Sequence, residues 1–227
     1  MDFLGIMQSL LNGLGNTVLL FGITLVFAVP LGLLLALGAT SRFKPLKWII
    51  KSLVWVIRST PLILQILFIS CVPAYLLMID TTDLAAKLNI SVSSVTFILL
   101  CIAFVINYAF YFSEIFRGGI ESIPKGQYEA GQVLGMTKGQ VFRHVVLMQV
   151  VKRIVPPMSN EIITLVKDTS LARVLNLVDL LTAAQDSVNA LGVLTPYLYA
   201  AIFYLVFNGL LTLLFNFIEK KLSYYKV

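Results

Sequence analysis

Long uncharged apolar blocks alternate along this chain with short segments crowded with charge. No charged side chain occurs from Phe3 to Ser41, from Ser59 to Ile79, or from Ser187 to Ile218. About 20 apolar residues in a helix cross a hydrocarbon core of about 30 Å, so each block is long enough to span a bilayer. The pattern predicts an all-α membrane protein with about five transmembrane helices. The spans are expected near Thr17–Ala39, Trp55–Ile79, Val95–Phe116, Ile154–Leu181 and Pro196–Ile218. An odd number of spans argues against the two equal inverted halves of many secondary transporters. No internal repeat or soluble domain interrupts the pattern, so residues 1–227 read as a single transmembrane domain.

Composition strengthens this picture. Charged residues make up 12% of the 227 and hydrophobic ones 59%, whereas a soluble domain carries about 25% charged residues. The net charge of +6 suggests an anionic partner, but its placement points to the lipid bilayer rather than to nucleic acid. Arg42, Lys44, Lys47 and Lys51 follow the first span. Arg117, Lys125, Lys138, Arg143, Lys152 and Arg153 lie between the third and fourth, and Lys220, Lys221 and Lys226 close the chain. The remaining connections balance Lys87 against Asp80 and Asp83, and Arg173 against Asp168, Asp179 and Asp186. Lys and Arg concentrate on cytoplasmic loops, so the N-terminus is expected outside and the C-terminus inside.

Met1-Asp2-Phe3 precedes the first apolar run without a basic region, and Asn12, Gly13 and Asn16 interrupt that run. A cleaved signal peptide is therefore not expected. Cys71 and Cys101 lie in apolar surroundings and read as small core residues rather than a disulfide or metal pair. His144 is the single histidine, so no histidine-based metal cluster is expected, and no catalytic arrangement stands out.

The longest stretch between spans, residues 117–153, reads as two short helices separated by a glycine. Ser122-Ile123-Pro124 suits a helix start, with Ser122 as cap and proline near the first helical position. Gly135 can take the left-handed conformation that ends a helix. Thr137-Lys138-Gly139-Gln140 has capping-box spacing, and Val141, Phe142, Val145 and Val146 fall on one face of the second helix. From periodicity alone, a loop on the lipid headgroups and a protein-docking element fit equally well.

The residue order resembles a known signature. Gly126-Gln127-Tyr128-Glu129-Ala130-Gly131, then Gly135, then Val145, Leu147, Pro156 and Pro157 are similar to the coupling loop of ABC importer permeases. In that family Glu-Ala-Ala is followed after three residues by glycine, then by an aliphatic residue and Leu-Pro. Gly131 stands here in place of alanine and Met148 in place of proline. Gly131 is expected to loosen its helix by roughly 1 kcal/mol relative to alanine, and Met148 to remove the bend that proline gives the loop. Four further segments resemble the polar amino acid branch of binding-protein-dependent systems, the histidine and glutamine permease-like one. They are Asn12–Thr17, Arg58-Ser59-Thr60-Pro61-Leu62, Ser113–Ile120 and Lys167-Asp168-Thr169-Ser170-Leu171, with Ser59 replacing a glycine.

The resemblance implies a type I ABC importer permease fold and several partners: an ABC ATPase dimer, a second permease subunit and an external amino acid-binding protein. It assigns Gly126, Gln127, Tyr128, Glu129, Ala130, Gly131 and Gly135 to coupling with the ATPase. The chain has no Gly-x-x-x-x-Gly-Lys-Ser/Thr phosphate loop. ATP and Mg are therefore expected on the partner, with no cofactor and no enzymatic activity here.

The fourth span is unusual. As one helix from Ile154 to Gln185 it would extend about 48 Å, beyond the ~30 Å core, and it carries Glu161, Lys167, Asp168 and Arg173. A break is expected near Lys167-Asp168-Thr169-Ser170, just beyond the midplane, where transporter pathways favour interrupted helices. Charged groups at that depth cost at least ~2.5 kcal/mol each unless paired or hydrated. Glu161, Thr164 and Asp168 share one face and are the leading pathway candidates, with Lys167, Thr169 and Ser170 beside them. Lys167 and Asp168 either meet the cargo or find partners on neighbouring spans, the pathway favoured for Asp168 and the pairing for Lys167. Gln65, Asn107 and Tyr111 are polar positions in other spans that either line the path or join helices. Pro30, Pro61 and Pro73 are kink candidates, and Arg58 is expected to reach back to the cytoplasmic interface. A transporter or channel driven by an ion gradient, and a scaffold that moves nothing, are the alternatives at this point. The first leaves residues 117–153 without a purpose, and the second leaves the polar fourth span without one.

Overall fold

The computed structural model describes residues 3–76 and 78–223; Lys226, Met1 and Asp2, used in the charge pattern above, lie outside them. The helices in order are α1 (Phe3–Ala39), α2 (Lys44–Ser59), α3 (Leu62–Leu76), α4 (Thr81–Leu88) and α5 (Val92–Glu121). They continue with α6 (Lys125–Val133), α7 (Lys138–Val141), α8 (Leu147–Asp168), α9 (Leu180–Leu191) and α10 (Thr195–Leu222). A π turn over Phe142–Val146 joins α7 to α8, and a 3-10 segment over Thr169–Leu175 follows α8. No strand occurs among the described residues.

Three of these helices, α1, α5 and α10, are each long and apolar enough to cross a membrane. The pair α2 and α3 passes the same test together, but is bent by 110° at its break. The span expected at Trp55–Ile79 is therefore not one helix. Pro61 has no N–H to donate and pushes Thr60 into an extended conformation, φ −110°, ψ 141°. The proline breaks the helix rather than kinking it. Pro30 and Pro73, by contrast, lie inside α1 and α3.

The fourth expected span also differs from expectation. Its helix continues from the segment 117–153 through the π turn, so it has no separate start near Ile154. It ends where a break was expected: Asp168 is its last residue, and Thr169–Leu175 tightens into 3-10 geometry. Asn176 then takes a left-handed conformation, φ 55°, before Asp179 caps α9.

The core is built around contact between α1 and α5. Buried positions on α1 include Gly13, Thr17, Thr24, Ala28, Gly32, Ala36 and Ala39, small residues repeating about every fourth position. Such a stripe lets helix backbones approach closely where no solvent drives them together. A Cβ on Gly32 would stand 2.8 Å from the Ala109 carbonyl oxygen and 2.8 Å from the Phe112 Cβ. Against this stripe α5 places Phe104, Tyr108, Ala109 and Phe112, all fully or nearly buried. The other end of α1 meets α9: the Asn16 amide donates to the Val178 carbonyl at 2.7 Å, and the Leu180 N–H donates to the Thr17 hydroxyl at 3.2 Å.

Much apolar surface stays uncovered, as a bilayer requires. On α10, Leu198, Leu205, Leu210 and Leu213 are all exposed. Cys101 is buried as expected, but Cys71 is exposed on the single chain and is not a core residue.

The contact at Gly32 generates a paired prediction. Gly32→Ala should lower the melting temperature of the purified protein, because overpacking costs typically 1–3 kcal/mol. Gly15→Ala, on the same helix but with nothing within 4 Å of the added Cβ, should leave it unchanged or slightly raised. A thermal shift assay in detergent compares the two.

Candidate functional site

The break between α2 and α3 leaves carbonyls at the end of α2 without helical partners. Gln65, one turn into α3, satisfies them: its amide nitrogen donates to the Ile57 carbonyl at 2.8 Å, the Thr60 carbonyl at 3.2 Å and the Thr60 hydroxyl at 2.9 Å. Its amide oxygen accepts from Asn107 on α5 at 3.0 Å. Gln65 and Asn107 thereby tie three helices at one point.

That junction forms one wall of a cavity of about 380 Å³. The break contributes Arg58, Ser59, Thr60 and Pro61, α5 contributes Asn107, Tyr108 and Tyr111, and α8 contributes Glu161, Thr164 and Asp168. The Tyr108 hydroxyl donates to the Asp168 carboxylate at 2.7 Å. Glu161 is half-buried and forms no hydrogen bond or ion pair among the described residues. The Arg58 guanidinium lies over the Tyr111 ring, 5.2 Å from its centroid. It also stands 3.8 Å from Glu114. The Arg58 side chain stays 45% exposed between this aromatic face and that carboxylate. Glu114 is held in turn by Arg117, in a bidentate pair at 2.9 and 2.6 Å. The cavity thus presents two carboxylates and one guanidinium, together with phenol, hydroxyl and amide groups.

Of the pathway candidates, Glu161, Thr164, Asp168 and Asn107 meet in this cavity. Lys167 does not line it and is exposed on the single chain. Thr169 points into the core, its hydroxyl donating to the Val166 carbonyl at 2.7 Å, and Ser170 donates to the Lys167 carbonyl at 2.7 Å. Gln65 lies behind the cavity wall, and its amide is fully engaged there. Tyr108 was missed by sequence reasoning: one tyrosine in an apolar run carries no signal. Its position one residue after Asn107 and three before Tyr111 is the only clue that α5 has a polar face.

The segment between α5 and α8 is tied down on its inner side. Ile123, Val141, Val146 and Val150 form a buried cluster, with Tyr128, Met136 and Val145 packed on it. Phe142 is instead exposed. Ser122 is not the cap of α6. It ends α5, its hydroxyl donating to the Gly119 carbonyl at 2.7 Å, and Pro124 stands immediately before α6. Arg153 on α8 donates to the Ser122 carbonyl. Gly135 has φ +72° and Thr137 forms the full capping box with Gln140, both as expected.

Gly131 is the surprise here. It is buried, and a Cβ there would meet Val141 Cγ2 at 2.5 Å. The glycine does not loosen the segment; it lets α6 close onto α7. The outer side carries Gly126, Glu129 and Ala130, all exposed, and beyond them Val133 and Leu134, 87% and 79% exposed. Gln127 and Tyr128 are half-buried, and Gln127 accepts from Gln149 on α8 at 3.3 Å.

Comparison with known proteins agrees with this architecture. Residues 28–224 match the family of binding-protein-dependent transport system inner membrane components. The chain is 35% identical over 217 residues to the L-cystine transport system permease protein TcyB of Bacillus subtilis, covering 94% of this chain and 86% of that one. It is 33% identical over 215 residues to the arginine transport system permease protein ArtQ of the same organism, covering 94% and 92%. A crystal structure of an amino acid ABC transporter with histidines superposes with a TM-score of 0.77 at 28% identity, covering 97% of this chain and 99% of that one. The chain belongs to the inner membrane components of binding-protein-dependent transport systems.

Proposed function

We propose that this chain is the membrane-spanning subunit of an ATP-binding-cassette importer that carries a polar amino acid into the cell. The observation that supports this best is a continuous helical body. It runs from Lys138 through the π turn to Asp168, with Pro156 and Pro157 inside it, and α6 packs on its start where Gly131 meets Val141. A movement imposed on α6 is carried by this body to Glu161 and Asp168. The cavity suits the cargo: an amino acid offers an ammonium to Glu161 and Asp168 and a carboxylate to Arg58. Relatives named for cystine and arginine transport fit that class.

In this reading a separate ATPase dimer grips the surface around Glu129, Ala130 and Leu134 and supplies the energy. ATP and Mg are held by that partner, and this chain has neither an ATPase site nor a cofactor. A second permease subunit, identical or homologous, covers Thr164 and Lys167, which would otherwise meet lipid at a cost of a few kcal/mol for the charged one. An external binding protein delivers the cargo. The N-terminus lies outside, and α6 and the C-terminus lie inside, with α8 as the crossing that its charges keep away from lipid.

Reconstitution with the ATPase and binding protein in vesicles tests the reading. Labelled amino acid should accumulate only with ATP on the ATPase side; accumulation driven by an ion gradient without ATP would overturn it. Asp168→Ala should cut uptake by about tenfold or more, the value of a hydrogen bond to a charged group, while leaving the ATPase bound. Tyr108→Phe, which removes the bond and keeps the carboxylate, should cost less. A photo-crosslinker at Glu129 or Leu134 should capture the ATPase. Gly131→Ala should weaken that capture several-fold by pushing α6 off Val141.

A further inference from the structure

The helix α2 has three distinct faces when its residues are placed at about 100° per residue. Ile50 and Val54 are buried against Ala39 and Phe110, with Ile57 beside them. A second strip, Leu46, Ile49, Leu53 and Val56, is apolar yet exposed. The third face gathers Lys44, Lys47, Trp48, Lys51 and Trp55, including both tryptophans of the chain. There Lys47, Trp48, Lys51, Ser52 and Trp55 line a shallow groove of about 370 Å³. Trp48 and Trp55 are 72% and 71% exposed. Neither lysine forms an ion pair among the described residues, and Glu114, across the neighbouring groove from Lys51, is already held by Arg117.

We infer that this face binds the headgroup of an anionic phospholipid. The 110° bend lays α2 near the membrane plane when α3 runs along the normal. The three faces then match three surroundings: protein for Ile50 and Val54, acyl chains for Ile49 and Leu53, headgroups for the lysines and tryptophans. Lys47 and Lys51, one turn apart, hold the phosphate, and the indole rings of Trp48 and Trp55 sit at the interface along one flank of them, where Trp is favoured. Charge complementarity selects an anionic headgroup. A cationic strip directly beside an exposed apolar one suits a lipid, which is anionic and apolar along its own length. Because α2 ends at Ser59, directly before the Thr60–Pro61 break, a lipid fixed here also holds the hinge behind the cavity.

The two tryptophans provide the readout. The assembled transporter is placed in nanodiscs containing phosphatidylglycerol or phosphatidylcholine with brominated acyl chains, and the emission lost in W48F/W55F defines the signal of this face. At equal mole fraction, brominated phosphatidylglycerol should quench that signal more than brominated phosphatidylcholine. K47Q/K51Q should lose the preference, about fivefold in affinity for each lysine, and K47R/K51R should keep it. Equal quenching by the two lipids, or an unchanged preference in K47Q/K51Q, would overturn the assignment. So would absence of quenching by either lipid, which would place this face against a partner subunit. Reversal of the effect by inorganic phosphate would do so too, since it would mark a site for a soluble anion.

Discussion

A helix that breaks leaves its last carbonyls without helical partners, and each has to find another. At Thr60–Pro61 this constraint shapes the centre of the molecule. The freed carbonyls of α2 recruit Gln65, Gln65 recruits Asn107, and α5 is thereby held at the break. Arg58, the penultimate residue of α2, is placed over Tyr111 and near Glu114. The break supplies one wall of the cavity, and α5 and α8 supply the others. The polar residues of α2, α3 and α5 thus divide into those that pay for the break and those left free to face a cargo.

What could be read from the sequence was local. Uncharged blocks mark α1 and α10 because a span needs only length and apolarity, both visible residue by residue. Gly135 and the Thr137–Gln140 box were legible because a left-handed residue and a cap are set by a few neighbours. Pro61 announced an interruption for the same reason, but not its size. The 110° turn depends on Gln65 and Asn107, which are 42 positions apart in sequence. The face shared by Glu161, Thr164 and Asp168 followed from helical spacing; their meeting with Tyr108 did not, since nothing local says which helix comes opposite. Gly131 was misread for the corresponding reason. Helix propensity describes an isolated segment, and the buried contact with Val141 outweighs it.

The resemblance to coupling loops and the physical reading of the same residues divide the work differently. The signature treats residues 126–131 as one recognition unit. In the fold they separate by side: Gln127, Tyr128 and Gly131 face inward and secure α6 to α8, while Gly126, Glu129 and Ala130 face outward. The second group is the more exposed of the two. A short helix has little rigidity of its own, so an outward surface transmits force only when its inner face is anchored as firmly as this one. The buried valine cluster, the Gln127–Gln149 bond and the Arg153–Ser122 bond supply that anchorage.

The departure at Met148 takes on meaning in the same terms. Without a proline there, the backbone stays helical through Met148, and Pro156 and Pro157 interrupt its hydrogen bonds only further on, inside α8. The π turn at Phe142–Val146 inserts its wider winding just before that point. Such a turn adds a residue to one loop of helix and rotates everything beyond it. It therefore sets the angular relation between the inner face of α7, pinned at Val141, and the face of α8 that bears Glu161 and Asp168. A proline would obtain the change of direction by breaking backbone bonds. The π turn keeps the backbone helical at this point, so a push on α6, passed on through the packed contact of Gly131 with Val141, reaches the helix that bears the cavity carboxylates.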